Sequence, residues 1–246
     1  MEISPWTVLL AAVITAIMTG AGALPFAFVR HFSKSWLGYF NAIAGGLMLA
    51  ASHSLIAEGT AVSPGRVLVG MLLGLTTITI INWLIEKEKK VRVAELDGAG
   101  ARKALLLLGI MTAHSFAEGV GVGVSFSGGD ELGFFITTAI ALHNIPEGLA
   151  ISLVLVPLGM QVWKAGAWSI FTSLPQPLMA VPAFLFVNVF EQFLPIGLGL
   201  AAGAMIWMVF ADLVPDSLER ISGTAAGMVL TLAFTTMLAF QLLVLA

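Results

Sequence analysis

The chain has 246 residues, of which 59% are hydrophobic and 10% charged, with a formal net charge of −3 and a mean hydropathy of +1.00. Soluble domains carry about 25% charged residues, so a water-soluble globular protein is excluded, and charge this sparse gives no surface for nucleic acid. The absence of cysteine excludes disulfides, thiolate zinc sites and thiol catalysis.

A helix that crosses lipid needs about 20 apolar residues. The chain therefore has room for about eight crossings and reads as one transmembrane domain over residues 1–246. The first span is expected at 6–29. Met1 to Trp6 holds no Lys or Arg, unlike the basic start of a secretory signal, so this run reads as a retained helix. The second span, 36–59, contains GGLMLAASHSLIAEG. Met48 falls near mid-depth there, and His53 and Glu58 lie nearer the outer face, as a route in for a cation. Met48 also suits core packing, and Glu58 also suits an interfacial position. The third span is 66–85. Residues 86–103 form the one long loop, rich in both charges and free of histidine, and read as a cytosolic linker.

The fourth span, 104–127, carries His114 and Glu118. The fifth, 133–157, carries His143 and Glu147. Both contain His-x-x-x-Glu-Gly, and a spacing of four puts imidazole and carboxylate on one helix face, a turn apart. Antiparallel neighbours joined by a short loop bring both pairs to the same level, near the midplane at 1.5 Å per residue. Pro146, within the fifth motif, frees the carbonyl of Leu142; a kink or a polar cavity would accommodate it. The sixth span, 165–189, contains Ser173-Leu-Pro175-Gln176-Pro177, which aims Gln176 at the site, where its amide oxygen could ligate. The seventh, 193–214, ends in FADLVPDSLER. Asp212 and Asp216 share a face at its inner end, either as a way out for a cation or as ordinary helix-end charges. The eighth span is 223–245.

Orientation follows from positive charge, which stays inside. With both termini outside, every one of the 11 basic residues except Arg66 falls in an inner loop, and the outer loops carry Asp130, Glu131 and Glu191.

A carboxylate at a bilayer centre costs about 2.5–3.5 kcal/mol, so such residues mark function by default. One His–Glu pair could be an internal hydrogen bond. Two pairs at one depth offer four N/O ligands, a set that suits Zn²⁺ and also Fe²⁺ or Mn²⁺. Two carboxylates close together in low dielectric do not both stay ionised, so metal binding is expected to release protons.

His143-Asn144-Ile145-Pro146-Glu147-Gly148 resembles the HNxPEG signature of ZIP-type (ZRT/IRT-like) metal transporters, and His114-Ser115-Phe116-Ala117-Glu118-Gly119 is similar to a related copy. GGLMLAAS and LAAGAMIWMVFADLVPDS are similar to family segments, so the resemblance covers nearly the whole chain. It implies an all-α integral membrane fold of eight helices, with inverted three-helix repeats (spans 1–3 and 6–8) around spans 4 and 5. It also implies extracytosolic termini, a homodimer, and movement of a divalent cation (Zn²⁺ first, then Fe²⁺, Mn²⁺ or Cd²⁺) into the cytosol, in a plasma or inner membrane. By position, one metal site would use Met48, His114, Glu118, His143 and Glu147. A second would use Ser115, Glu118, Asn144, Glu147 and Gln176. Gln176 replaces a frequent carboxylate and Ser115 a frequent asparagine, so the second site is expected to be weak or empty.

The function expected is thus transport, with no prosthetic group and no enzymatic turnover. Two other readings use the same residues. An intramembrane metal-dependent hydrolase would need an open metal position and a base, and no HExxH is present. A haem-based electron carrier would use His53, His114 or His143, where the neighbouring glutamates are a poor environment.

Overall fold

The computed structural model describes residues 3–29, 33–87 and 98–244. Its helices are α1 (Pro5–Ala21), α2 (Pro25–Phe28), α3 (Lys34–Val62), α4 (Pro64–Lys87), α5 (Gly98–Ser127), α6 (Asp130–Leu155), α7 (Val162–Thr172), α8 (Pro175–Val189), α9 (Leu194–Met208), α10 (Val214–Leu218) and α11 (Gly223–Val244). A 3-10 turn, Glu191–Phe193, precedes α9, and a π turn, Val209–Leu213, joins α9 to α10. Among the described residues, seven helical stretches are long and apolar enough to cross a bilayer. The 30-residue α5 supplies the eighth crossing.

Three expected spans are interrupted helices. The first divides into α1 and α2 and the sixth into α7 and α8, each second piece opening with a proline. Proline has no N–H for the turn before it, so the intrahelical ladder lapses there. The two interruptions meet: Oγ1 of Thr19 lies 2.7 Å from Oγ of Ser173. In the seventh span the ladder widens ahead of Pro215, and the N–H of Val214 bonds the carbonyl of Val209, five residues back. A π turn of this kind rotates the residues beyond it relative to a regular helix.

Of the loop expected at 86–103, residues 88–97 lie outside the described residues, as do Arg30, Lys89, Lys90 and Arg92. Residues 98–103 are helical, the first turns of α5. The helix thus runs past the apolar boundary despite Gly98 and Gly100. Between α5 and α6 the turn is only Gly128–Gly129, and Gly129 has φ +134°, a conformation open to glycine alone at little cost. So short a turn makes α5 and α6 antiparallel neighbours.

Helix neighbours follow a pattern. α1 packs on α6 and α5 on α8; α3 packs on α11 and α4 on α9; α3 meets α6, and α5 meets α9. The set is unchanged when spans 1, 2, 3 and 4 are exchanged for 6, 7, 8 and 5. Glycines allow the closest approaches: a side chain at Gly148 would run into the carbonyl of Thr19 on α1, and one at Gly119 into the backbone of Gln176 on α8. The exterior carries Leu10, Leu72, Phe210 and Leu232, all more than half exposed, an outer surface suited to hydrocarbon. Most of α6 is buried, with Phe134 and Leu142 exposed on one face, and the polar residues gather on its buried side.

Candidate metal centre

α5 and α6 each present their motif inward. Glu118 and His143 are almost fully buried, at 1% and 2% exposure, and Glu147 keeps 9%. Each of the three offers one ligand atom, and these atoms lie within 4.8 Å of one another. Nε2 of His143 meets Oε1 of Glu118 at 2.7 Å, and Nδ1 of His143 lies 3.2 Å from the carbonyl of Ala139, one turn earlier on α6. The Nδ1 contact is of the kind that orients a histidine ligand, and it leaves Nε2 turned toward Glu118 as the ligating nitrogen.

Glu147 contrasts with this. Neither of its oxygens has a hydrogen-bond partner among the described residues, and the same holds for Oγ of Ser115 and Oδ1 of Asn144. Unpaired buried polar atoms cost about 1–3 kcal/mol each. The unpaired carboxylate of Glu147 suits a cation, and carboxylate plus imidazole suits a borderline-soft one such as Zn²⁺.

A cavity of about 300 Å³ begins at these three residues and runs past Met48 and His114 to Asp212, Asp216 and Glu219. Met48 and His114, both buried, face the same space as the cluster. Nε2 of His114 lies 3.2 Å from Oδ2 of Asp212, an ion-pair distance without hydrogen-bond alignment. Asp216 is engaged by its neighbours: Nδ2 of Asn41 donates to Oδ2 at 2.7 Å, and the Arg220 guanidinium reaches Oδ1 at 2.6 Å. The cavity mouth is acidic but braced by one cation.

The other candidates lie apart. His53 is exposed and sets its ring edge-on to Phe234, 6.5 Å between centroids, outside the residues that line this cavity. Glu58 lines a second cavity of about 490 Å³ together with Asp130 and Glu131, beside the α5–α6 turn. Ten residues of α3 separate Glu58 from Met48, about 15 Å along a helix. Leu55, Phe135, Ile136 and Ile140, none of them exposed, fill the level between.

Gln176 is part of a buried hydrogen-bonded chain. Its Nε2 donates to Oε2 of Glu118 at 2.6 Å, and its Oε1 accepts from Oγ1 of Thr15 at 2.6 Å and from Nδ2 of Asn144 at 3.2 Å. Nδ2 of Asn144 also donates to the carbonyl of Thr15 at 2.8 Å. Gln176 does reach the site, as expected, but with its N–H groups toward the carboxylate and its oxygen turned away.

Sequence reasoning missed Thr15, Asn41 and Arg220 as neighbours of the site, and missed the contact between His114 and Asp212. One signal was present: Thr15 and Thr19, four apart in an apolar run, mark a polar stripe on the first span.

A sequence model of the family described as ZIP Zinc transporter matches residues 85–236. The chain is 45% identical over 245 residues to an Arabidopsis thaliana protein provisionally named a zinc transporter; the match takes in 98% of this chain but only 39% of that protein. It is 30% identical over 245 residues to the zinc transporter GufA of Myxococcus xanthus, covering 91% of this chain and 96% of the relative. It is 33% identical over 240 residues to the zinc transporter ZIPB of Bordetella bronchiseptica, covering 89% and 75%.

Proposed function

Because the chain belongs to the ZIP zinc transporter family, we propose that it carries a divalent transition metal ion, Zn²⁺ foremost, through the bilayer to the cytosol. The ion is held between Glu118, His143 and Glu147, with His114 and Met48 on the wall of the same cavity. One observation carries this reading: three buried ligand groups from two adjacent helices converge within 4.8 Å, and the carboxylate among them that lacks partners faces a cavity with an acidic mouth.

The ion is cargo, and the ligands must bind it without retaining it. Glu118 and Glu147 together offset its two charges, which lowers the cost of bringing M²⁺ into low dielectric. Discharge follows the cavity past His114 and Asp212 to Asp216 and Glu219. The closed level around Leu55 and Ile140 fits a state open to one side only, and the outer cavity at Glu58, Asp130 and Glu131 would receive ions when the molecule opens the other way. Fe²⁺, Mn²⁺ and Cd²⁺ have the same ligand chemistry available.

The same reading includes inverted three-helix repeats, supported by the exchangeable neighbour pairs and the matching interruptions of spans 1 and 6. It includes extracytosolic termini, supported by Arg220 at the cavity mouth and Arg66 at the opposite end beside Gln192. A homodimer, a plasma or inner membrane, and transport without chemical turnover complete it. The test is Zn²⁺ uptake into proteoliposomes holding wild type or Glu147→Gln. Uptake by wild type alone is expected, and equal uptake by both would overturn the proposal.

A further inference from the structure

Both oxygens of Glu118 are engaged, and by different chemistry. Oε1 faces the imidazole of His143 and Oε2 receives the amide of Gln176. The direction of that amide is dictated by a series of donors. The backbone oxygen of Thr15 can only accept, so Asn144 must turn its NH₂ toward it. The same NH₂ faces Oε1 of Gln176, which also meets the hydroxyl of Thr15, whose one proton is shared with the carbonyl of Ala12. The NH₂ of Gln176 is thereby left for Glu118. Turning Gln176 over would set its oxygen against a carboxylate and its NH₂ against another NH₂. All four residues are buried, and the absence of a side chain at Gly119 lets the backbone at Gln176 lie directly on α5.

From this arrangement we infer that Gln176 is a positioning residue that limits the centre to one divalent ion per chain. The inference rests on the transport reading above. A second ion that shared Glu118 would have to reach Oε2, and that oxygen is covered by an N–H of Gln176, which repels a cation at short range. Ser115 and Asn144 offer further oxygens nearby but no charge. The negative charge left without a protein partner is that of Glu147, which serves the one ion held jointly with His143 and Oε1 of Glu118. The amide of Gln176 thus fills, as a neutral group, the place of a second cation against Glu118.

The experiment counts ions on the full chain purified in detergent. The protein is equilibrated with saturating Zn²⁺ and analysed for metal per chain, and is loaded in parallel with ¹¹³Cd²⁺ for NMR. Only ions that are lost in Glu147→Gln are counted. Wild type is expected to hold one such ion and to give one ¹¹³Cd resonance. Gln176→Glu, which exchanges the donor for a carboxylate, is expected to double both. Gln176→Ala, which removes the N–H without adding charge, is expected to give a second, weaker resonance. Two ions in wild type overturn the inference and leave the transport reading standing. One ion in both Gln176 variants also overturns it. No counted ion in wild type overturns the transport reading and this inference together. Should the variants fail to fold, the wild-type count alone decides.

Discussion

Nε2 of His114 sits 3.2 Å from Oδ2 of Asp212, although the two residues belong to the fourth and seventh spans. The contact exists because the π turn ahead of Pro215 brings Asp212 round to the cavity. It couples an imidazole beside the Glu118–His143–Glu147 cluster to a carboxylate that lines the same cavity.

Asp212→Asn is expected to lower Zn²⁺ uptake by roughly tenfold to a hundredfold, the usual cost of removing a carboxylate that orients a metal-binding histidine. Insertion and helix content are expected to be unchanged. Uptake equal to wild type would mean that the pairing plays no part in transport.

Glu147→Gln keeps the size of the side chain and removes its charge. Ion binding is expected to fall by at least about a hundredfold, more than the loss of an orienting group alone, because both oxygens of Glu118, the other carboxylate of the cluster, are already engaged. Binding within a few-fold of wild type, measured by competition with a chelator of known affinity, would rule out Glu147 as a ligand.

Acid is expected to suppress uptake. Carboxylate and imidazole bind metal only when deprotonated, so protons compete with M²⁺ for Glu118, Glu147 and His143. The sign is fixed: uptake falls as pH falls, and each ion that binds releases protons. A pH-sensitive dye in lightly buffered solution should report acidification when Zn²⁺ is added to the purified protein. A rate that stays flat through the acidic range would contradict this.

Gly148→Ala should destabilise the protein, since the new methyl group collides with the carbonyl of Thr19 where α6 crosses α1. Overpacking of this kind costs about 1–3 kcal/mol. Gly227→Ala on α11, where a methyl meets nothing within 4 Å, is the control and should leave the melting temperature unchanged or raise it. Melting curves in one detergent compare the two directly. Equal curves would mean that α1 and α6 can part freely.

The apolar runs gave the spans and the doubled His-x-x-x-Glu-Gly gave the cluster, because both are local patterns that repeat at helical spacing. What escaped depends on how distant spans meet. Spacing within the first span marks Thr15 and Thr19 as a stripe but does not say that Gln176, 161 positions later, lies against it. Asp212 and Asp216 were grouped by the four-residue rule, which assumes a regular helix; the π turn separates their partners, giving Asp212 to His114 and Asp216 to Asn41 and Arg220. His53 lies only five residues from Met48, yet it faces outward to Phe234, since a step of five on a helix turns a side chain about 140° away. The proline interruption of the first span was missed because Pro25 stood near its expected end and read as a terminus. The direction of the Gln176 amide could not be read from sequence at all, since it follows from a backbone oxygen on α1.

The packed level between the two cavities has an electrical consequence. Charged side chains line the space on either side of it, Glu58, Asp130 and Glu131 on one and Asp212, Asp216 and Glu219 on the other. Water and salt enter such spaces, and little of the membrane voltage is spent there. The drop is concentrated on the thin insulating stratum of Leu55, Phe135, Ile136 and Ile140. A bare doubly charged ion forced through it would gain or lose about 4.6 kcal/mol per 100 mV, twice the value for a single charge. An ion escorted by two carboxylates presents almost no net charge to the field, so resting potential should leave its passage nearly untouched.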